Sequence, residues 1–165
     1  MKYRAIDLLL GVVERFVTLG NLDILDLGCG TGLVGARLHP LARTITGVDL
    51  SSKMLEMARQ RRIYDNLICS ELVEFLQMQT QSFNLAVAAD VFIYIGDLSS
   101  VFHGVCGVLR DGGFFGFSVQ ASEEQDFVLR ATCRYPHSVA YLRKLAEDHG
   151  FVSETIQSKV IRQQD

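Results

Sequence analysis

Asp26 and Asp49 each close an apolar run, and three alternating glycines follow the first of them. The stretch reads Leu22-Asp23-Ile24-Leu25-Asp26-Leu27-Gly28-Cys29-Gly30-Thr31-Gly32. An apolar run that ends in glycines describes a strand delivering the chain into a tight loop that opens onto a helix. With no Cβ at Gly28, Gly30 and Gly32, the backbone can approach a ligand closely and present its N–H groups. A carboxylate at the next strand end, Asp49, can accept hydrogen bonds from both hydroxyls of a ribose. These residue types at this spacing suit a nucleotide-like ligand.

Helix and strand signals alternate around that loop. Residues 5–19 repeat apolar side chains at helical spacing, among them Ile6, Leu9, Leu10, Val13 and Phe16. Strands are predicted at 24–27, 44–48, 66–69, 83–89, 114–119 and 151–160. Helices are predicted at 32–39, from Ser51 or Ser52 through Ala58, and at 71–77, 97–109 and 138–148. Such alternation implies a Rossmann-like, doubly wound, mostly parallel sheet in a three-layer αβα arrangement. Ligands on such sheets bind beyond the carboxyl ends of the strands, where strand order reverses. A single domain is expected over 1–165, with an N-terminal helix (1–19), a cofactor-binding core (20–119), and a substrate loop, last helix and last strand (120–165).

Two glycine patterns compete. Gly30-Thr31-Gly32-Leu33-Val34-Gly35 fits the dinucleotide form GxGxxG and would suit an NAD-dependent oxidoreductase. The register argues for the other. Gly28 directly follows the strand, so it is the tight-turn glycine, and Leu33 falls where the third glycine belongs. Read from Gly28, Asp26-Leu27-Gly28-Cys29-Gly30-Thr31-Gly32 resembles motif I of the class I S-adenosylmethionine-dependent methyltransferases. Residues 47–58, Gly47-Val48-Asp49-Leu50 through Met57-Ala58, resemble the segment after that family's second strand. Ala89-Asp90-Val91-Phe92-Ile93-Tyr94 resembles its motif IV, and Leu109-Arg110-Asp111-Gly112-Gly113 the turn before its fifth strand. Arg134-Tyr135-Pro136-His137-Ser138 is similar to a segment of small-molecule-type members, some of them appended to tetratricopeptide repeats.

The resemblance implies S-adenosylmethionine as cofactor, S-adenosylhomocysteine as product, and methyl transfer to oxygen, carbon or nitrogen of a small molecule. Gly28, Cys29, Gly30 and Gly32 would form the loop at the methionyl end, with Asp26 either holding the ammonium group or capping the loop. Asp49 would take the ribose. Leu50 and Met54 would sandwich adenine, although Met54 also suits a core. Glu71, with Leu72 beside it, would face the adenine amine or cap a helix. Ala89 and Asp90 would line the space near the sulfonium. His137 and Tyr135 are the candidate catalytic residues if the acceptor must lose a proton; otherwise they order the loop before the last helix, with Ser138 as its cap. A silent cofactor-binding or scaffolding domain is the alternative from another class.

The net charge is −3, with acids and bases interspersed, so no nucleic-acid footprint is expected. The four cysteines form no CxxC pair and suggest no metal site. The apolar start is interrupted by Glu14 and Arg15 and is too short to span a membrane, which points to a cytoplasmic protein. The family's sheet has seven strands; here no apolar strand follows the sixth. The seventh is therefore expected to be missing and the fifth-strand edge to be covered, for example in a homodimer.

Overall fold

The computed structural model describes residues 4–123 and 126–159. Its centre is a five-stranded parallel sheet in the order β3-β2-β1-β4-β5, formed by Leu22–Leu27 (β1), Ala42–Asp49 (β2), Asn66–Cys69 (β3), Phe83–Ala88 (β4) and Leu109–Phe117 (β5). The Rossmann-like αβα expectation holds. Order reverses between β1 and β4, so the crevice that opens there lies beyond Leu27 and Ala88.

Alternation along the two central strands splits the core in two. Ile24 of β1 and Leu85 and Val87 of β4 face one side, where Arg4–Phe16 (α1) and Leu33–Leu38 (α2) bury Leu9, Leu10, Val13, Val34 and Leu38 against them. Leu25, Leu27, Ala86 and Ala88 face the other side, covered by Leu72–Met78 (α4), Ser99–Val108 (α5) and Val139–Asp148 (α6). Ser52–Gln60 (α3) packs on β2 and β3. Both faces of β1 and β4 are therefore covered, which accounts for their unbroken apolar runs.

Three expectations change. The fifth strand begins at Leu109, not at residue 114, and the predicted turn at Asp111-Gly112-Gly113 lies inside it. Phe83 pairs with Leu109 and Leu85 with Phe114, so residues 110–113 bulge opposite Asn84, with Gly112 in the left-handed region at φ 74°. The predicted sixth strand at 151–160 is absent over 151–159; Val160 lies outside the described residues. Phe151 alone docks there, its ring against Phe102 and Phe115. Beyond it Val152 and Ile156 are separated by polar residues and exposed, so no strand face exists to bury. Among the described residues the outer edge of β5 has no strand neighbour. A small parallel ladder that sequence did not signal joins Ala121–Ser122 (β6) to His137–Ser138 (β7).

At the amino end of the sheet, buried Asp23 ties four strands together. Its carboxylate accepts from Arg43 and Thr44 of β2 and pairs with Arg110 of β5, while its N–H donates to Asn84 of β4. Burial would raise this carboxyl, but the hydrogen bonds from Arg43, Thr44 and Arg110 outweigh it and hold it at about 2, against 3.8 normally. A folded-state value below the unfolded one stabilises above pH 4, and the contribution is lost as pH falls toward 2. Through this group the unfolding free energy is expected to drop by about 2 kcal/mol between pH 4 and pH 2. Asp23→Asn should flatten that part of the curve, as urea denaturation at stepped pH will measure.

Candidate functional site

Gly28, Gly30 and Gly32 lie between the end of β1 and the start of α2, all in the left-handed region, at φ 65°, 53° and 83°. A non-glycine residue is strained at each. Two of them also meet neighbours: a Cβ at Gly28 would strike the Val91 side chain, and one at Gly32 would come within 2.9 Å of the Tyr64 ring. Gly30 differs. Nothing stands within 4 Å of where its Cβ would be, so its backbone borders open space above the loop.

The loop is fixed from the neighbouring strand. Asp49, last residue of β2, accepts from Gly30 N–H through Oδ2 and from Ser51 N–H through Oδ1, each at 2.8 Å. Cys29 N–H donates to Val48 O at 3.0 Å. Each Asp49 oxygen retains a second lone pair for a ligand hydroxyl. Ser51 also caps α3, accepting from Met54 N–H. Leu50 and Met54, flanking this acid in sequence, are 74% and 43% exposed, an unusual placement for large apolar side chains.

Asp26 is placed otherwise than a ligand-holding carboxylate would be. It is 1% exposed and lies behind the loop, where Tyr64 Oη donates to its Oδ2 at 2.7 Å and the Gly35 backbone hydrogen-bonds to it. Burial pushes its carboxyl up to about 6 despite these bonds, and the charge of Asp49 adds to the rise. The Cys29 side chain is likewise buried, and burial pushes its thiol up, with Asp26 and Asp49 adding to the effect. Among residues near the adenine region by sequence, Glu71 caps α4, its Oε2 accepting from Val73 and Glu74 N–H at 2.8 and 3.0 Å. Leu72 is buried in the core.

Beyond β4, Ala89 is half-buried and Asp90 is exposed with φ 56°, a strained conformation for a side chain outside glycine. Its N–H donates to Ser118 Oγ at 2.9 Å, and Ser118 N–H returns to Ala88 O. The segment from Val91 to Leu98 is stitched to the last helix region. Tyr135 N–H donates to Ile93 O, His137 Nε2 lies 2.9 Å from Gly96 O, and Tyr141 Oη donates to Asp97 while accepting from Leu98 N–H. His137 is 1% exposed, its ring stacked on Tyr141, and its Nδ1 has no hydrogen-bond partner. Burial pushes its pKa down, so the ring is neutral and gives its one N–H to Gly96. Ser138 caps α6 through Tyr141 N–H. The structure thus gathers Gly28, Gly30, Gly32, Asp49, Leu50, Met54, Ala89 and Asp90 in the strand ends, loops and first turn of α3 at the carboxyl end of the sheet, and sets Asp26, Cys29, Leu72 and His137 inside. Sequence reasoning missed Tyr64, Val91 and Ser118; Val91 lay inside the motif IV stretch without a role, and the other two carried no motif signal.

An open parallel sheet with a positive-φ glycine loop at its switch point, pinned by a strand-end acid, defines a nucleotide-type ligand-binding α/β protein. The chain belongs to the methyltransferase domain family, whose model matches residues 25–117. Among similar proteins is a ubiquinone biosynthesis O-methyltransferase of Hydrogenovibrio crunogenus, 24% identical over 123 residues, covering 71% of this chain and 50% of that protein. Another, from Salmonella arizonae, is 25% identical over 158 residues, covering 88% of this chain and 65% of that protein. The chain thus spans from about half to two thirds of the length of these relatives. Magnesium protoporphyrin IX methyltransferase of Synechocystis, solved with bound SAH, superposes with TM-score 0.74 at 19% identity, over 94% of this chain and 77% of that one. The [4+2]-cyclase SpnF superposes with TM-score 0.73 at 24% identity, over 87% and 57%. At these identities the superpositions show a shared fold. No helix among the described residues is long and apolar enough to cross a membrane.

Gly28→Ala places a methyl group against Val91 at a left-handed φ. It is expected to lower the unfolding free energy by about 1–3 kcal/mol. Adding Val91→Ala should recover the steric part, which chemical denaturation of the single and double variants will measure.

Proposed function

We propose that this chain binds S-adenosylmethionine at the glycine loop and transfers its methyl group to a small-molecule acceptor. The observation that carries the reading is the Asp49 carboxylate, held by Gly30 and Ser51 N–H at the edge of the open space over Gly30. The residues fit the ligand's parts. Asp49 accepts the ribose hydroxyls with its remaining lone pairs. The exposed Leu50 and Met54 offer apolar faces to adenine, and Glu71 stands nearby in sequence as an acceptor for its amine. The Gly28–Gly30 backbone faces the methionyl end, with Ala89 and Asp90 toward the reacting centre. The relatives named as O-methyltransferases support oxygen as the acceptor atom.

The cofactor supplies a methyl group on an activated sulfonium, so the protein's main contribution is alignment and exclusion of water. Tyr94, 62% exposed, and the half-buried Tyr135 border the acceptor side. We assign His137 to positioning, since its Nε2 hydrogen is committed to Gly96 and its ring is enclosed. The four free cysteines among the described residues agree with a cytoplasmic setting. The nicotinamide reading is weaker, because Gly28 follows β1 directly, and counted from it Leu33 stands where the third glycine belongs. A domain of this fold that does not transfer methyl groups is the second reading, and the cyclase of the same fold favours keeping it.

Calorimetry is expected to show binding of S-adenosylhomocysteine and none of NAD, with Asp49→Ala weakening binding at least about tenfold. Labelled methyl transfer to a metabolite pool then separates the two readings; binding of NAD alone would remove both. For His137, folding depresses the pKa below its unfolded value of 6.5, so stability is present above pH 6.5 and declines as pH falls below it. His137→Gln keeps an N–H for Gly96 and should abolish that decline while sparing turnover. A turnover loss in His137→Gln with unchanged cofactor affinity would instead make His137 a proton acceptor.

A further inference from the structure

Tyr64 belongs to the connection between α3 and β3, outside every motif. Its ring nevertheless occupies a slot made by three glycines from three elements. Cβ atoms at Gly32 of the loop, Gly35 of α2 and Gly47 of β2 would lie 2.9 Å from Tyr64 Cε2, 2.5 Å from Cζ and 2.8 Å from Cε1. All three nearest atoms to Gly35 belong to Tyr64. No residue with a side chain fits at these positions while the ring is there. The ring's own connection is clamped at the next residue: Asp65 N–H donates to Ile45 O at 2.9 Å, and Asp65 Oδ2 accepts from Ile45 N–H at 2.7 Å. The slot's end wall is Asp26, whose Oδ2 takes the Tyr64 hydroxyl hydrogen at 2.7 Å.

We propose that Tyr64 is a positioning residue for the cofactor loop: its ring supports the loop at Gly32 and Gly35, and its hydroxyl orients the buried Asp26 carboxylate so that the loop keeps its ligand-binding form. This rests on the cofactor reading above. Asp26 then acts through the loop and does not itself touch the ligand. The titratable groups facing Asp26 are Tyr64, Cys29 on the loop and Asp49 at the end of β2. Of these, Tyr64 alone donates a hydrogen to the carboxylate. Donation to a carboxylate favours its charged form, so removing the hydroxyl moves the Asp26 titration upward from about 6.

The test is Tyr64→Phe, which keeps the ring and deletes the donor. Carbon-detected NMR of the ligand-free protein reads the Asp26 carboxyl, and calorimetry between pH 5 and 8 reads S-adenosylhomocysteine affinity. The expected result is an upward shift of the Asp26 midpoint by about one pH unit. Affinity should fall by about twofold at pH 7 and by nearly tenfold at pH 5, its acid limb moving with Asp26. An unchanged Asp26 midpoint, or an affinity loss equal at all pH, overturns the proposal. If Tyr64→Phe does not fold, the wild-type protein decides: affinity must decline at the pH where Asp26 takes up its proton, and a different midpoint overturns the assignment. Wild-type protein that binds no S-adenosylhomocysteine removes the cofactor reading, while the ligand-free Asp26 titration still tests the Tyr64 contact.

Discussion

Two backbone amides, those of Gly30 and Ser51, converge on the carboxylate of Asp49, and this joins the ends of β1 and β2 into one rigid rim. Without it the glycine loop would be held by Cys29 N–H on Val48 O, by Arg61 Nε on Thr31 O and by its own turns. Three alternating left-handed glycines are costly to order, because glycine has the most conformational freedom to lose. The Asp49 bonds are charge-assisted and offset part of that cost. They also leave the carboxylate facing the space over Gly30, so the group that holds the loop is also the one proposed to take the ribose.

The rim works because of what lies beneath and behind it. The sheet order brings β4 beside β1, so Val91 presses on Gly28 from one side while Tyr64 fills the slot below Gly32 and Gly35. At the other end of the sheet the Asp23 cluster locks β2, β1, β4 and β5 in register. The two ends differ in charge logic. Asp23 is surrounded by donors and stays ionised to low pH, whereas Asp26 is enclosed with few donors and titrates near 6. The first therefore answers only to strong acid, and the second titrates closer to neutrality.

The acceptor side follows a different plan. Residues 91–98, 120–123 and 126–138 have little regular structure, and cross-bonds hold them: Tyr135 on Ile93, His137 on Gly96, Tyr141 on Asp97 and Leu98. A scaffold of paired strands carries the rim, whereas these segments are held by bonds between loops. The shared fold with both a methyltransferase and a cyclase is consistent with chemistry decided in this loop region rather than in the sheet.

The sequence by itself determined the parallel αβα fold, the glycine loop, Asp49 and its place at a strand end. These are local: unbroken apolar runs, glycines directly after a strand and an acid closing the next run are all read along the chain. The helix caps Ser51, Glu71 and Ser138 were legible for the same reason. Only the tertiary structure decided which polar groups face the ligand space and which are enclosed. Asp26 and His137 have the residue types of functional groups, yet neighbours distant in sequence bury them and take up their hydrogen bonds. It also decided against the strand expected at 151–160 over its described residues 151–159, since a strand needs a partner and an apolar face to bury. Tyr64 acquires its role from three glycines at separate places in the chain, a relation that pattern along the sequence cannot express because it exists only once α2, β2 and the loop are packed together.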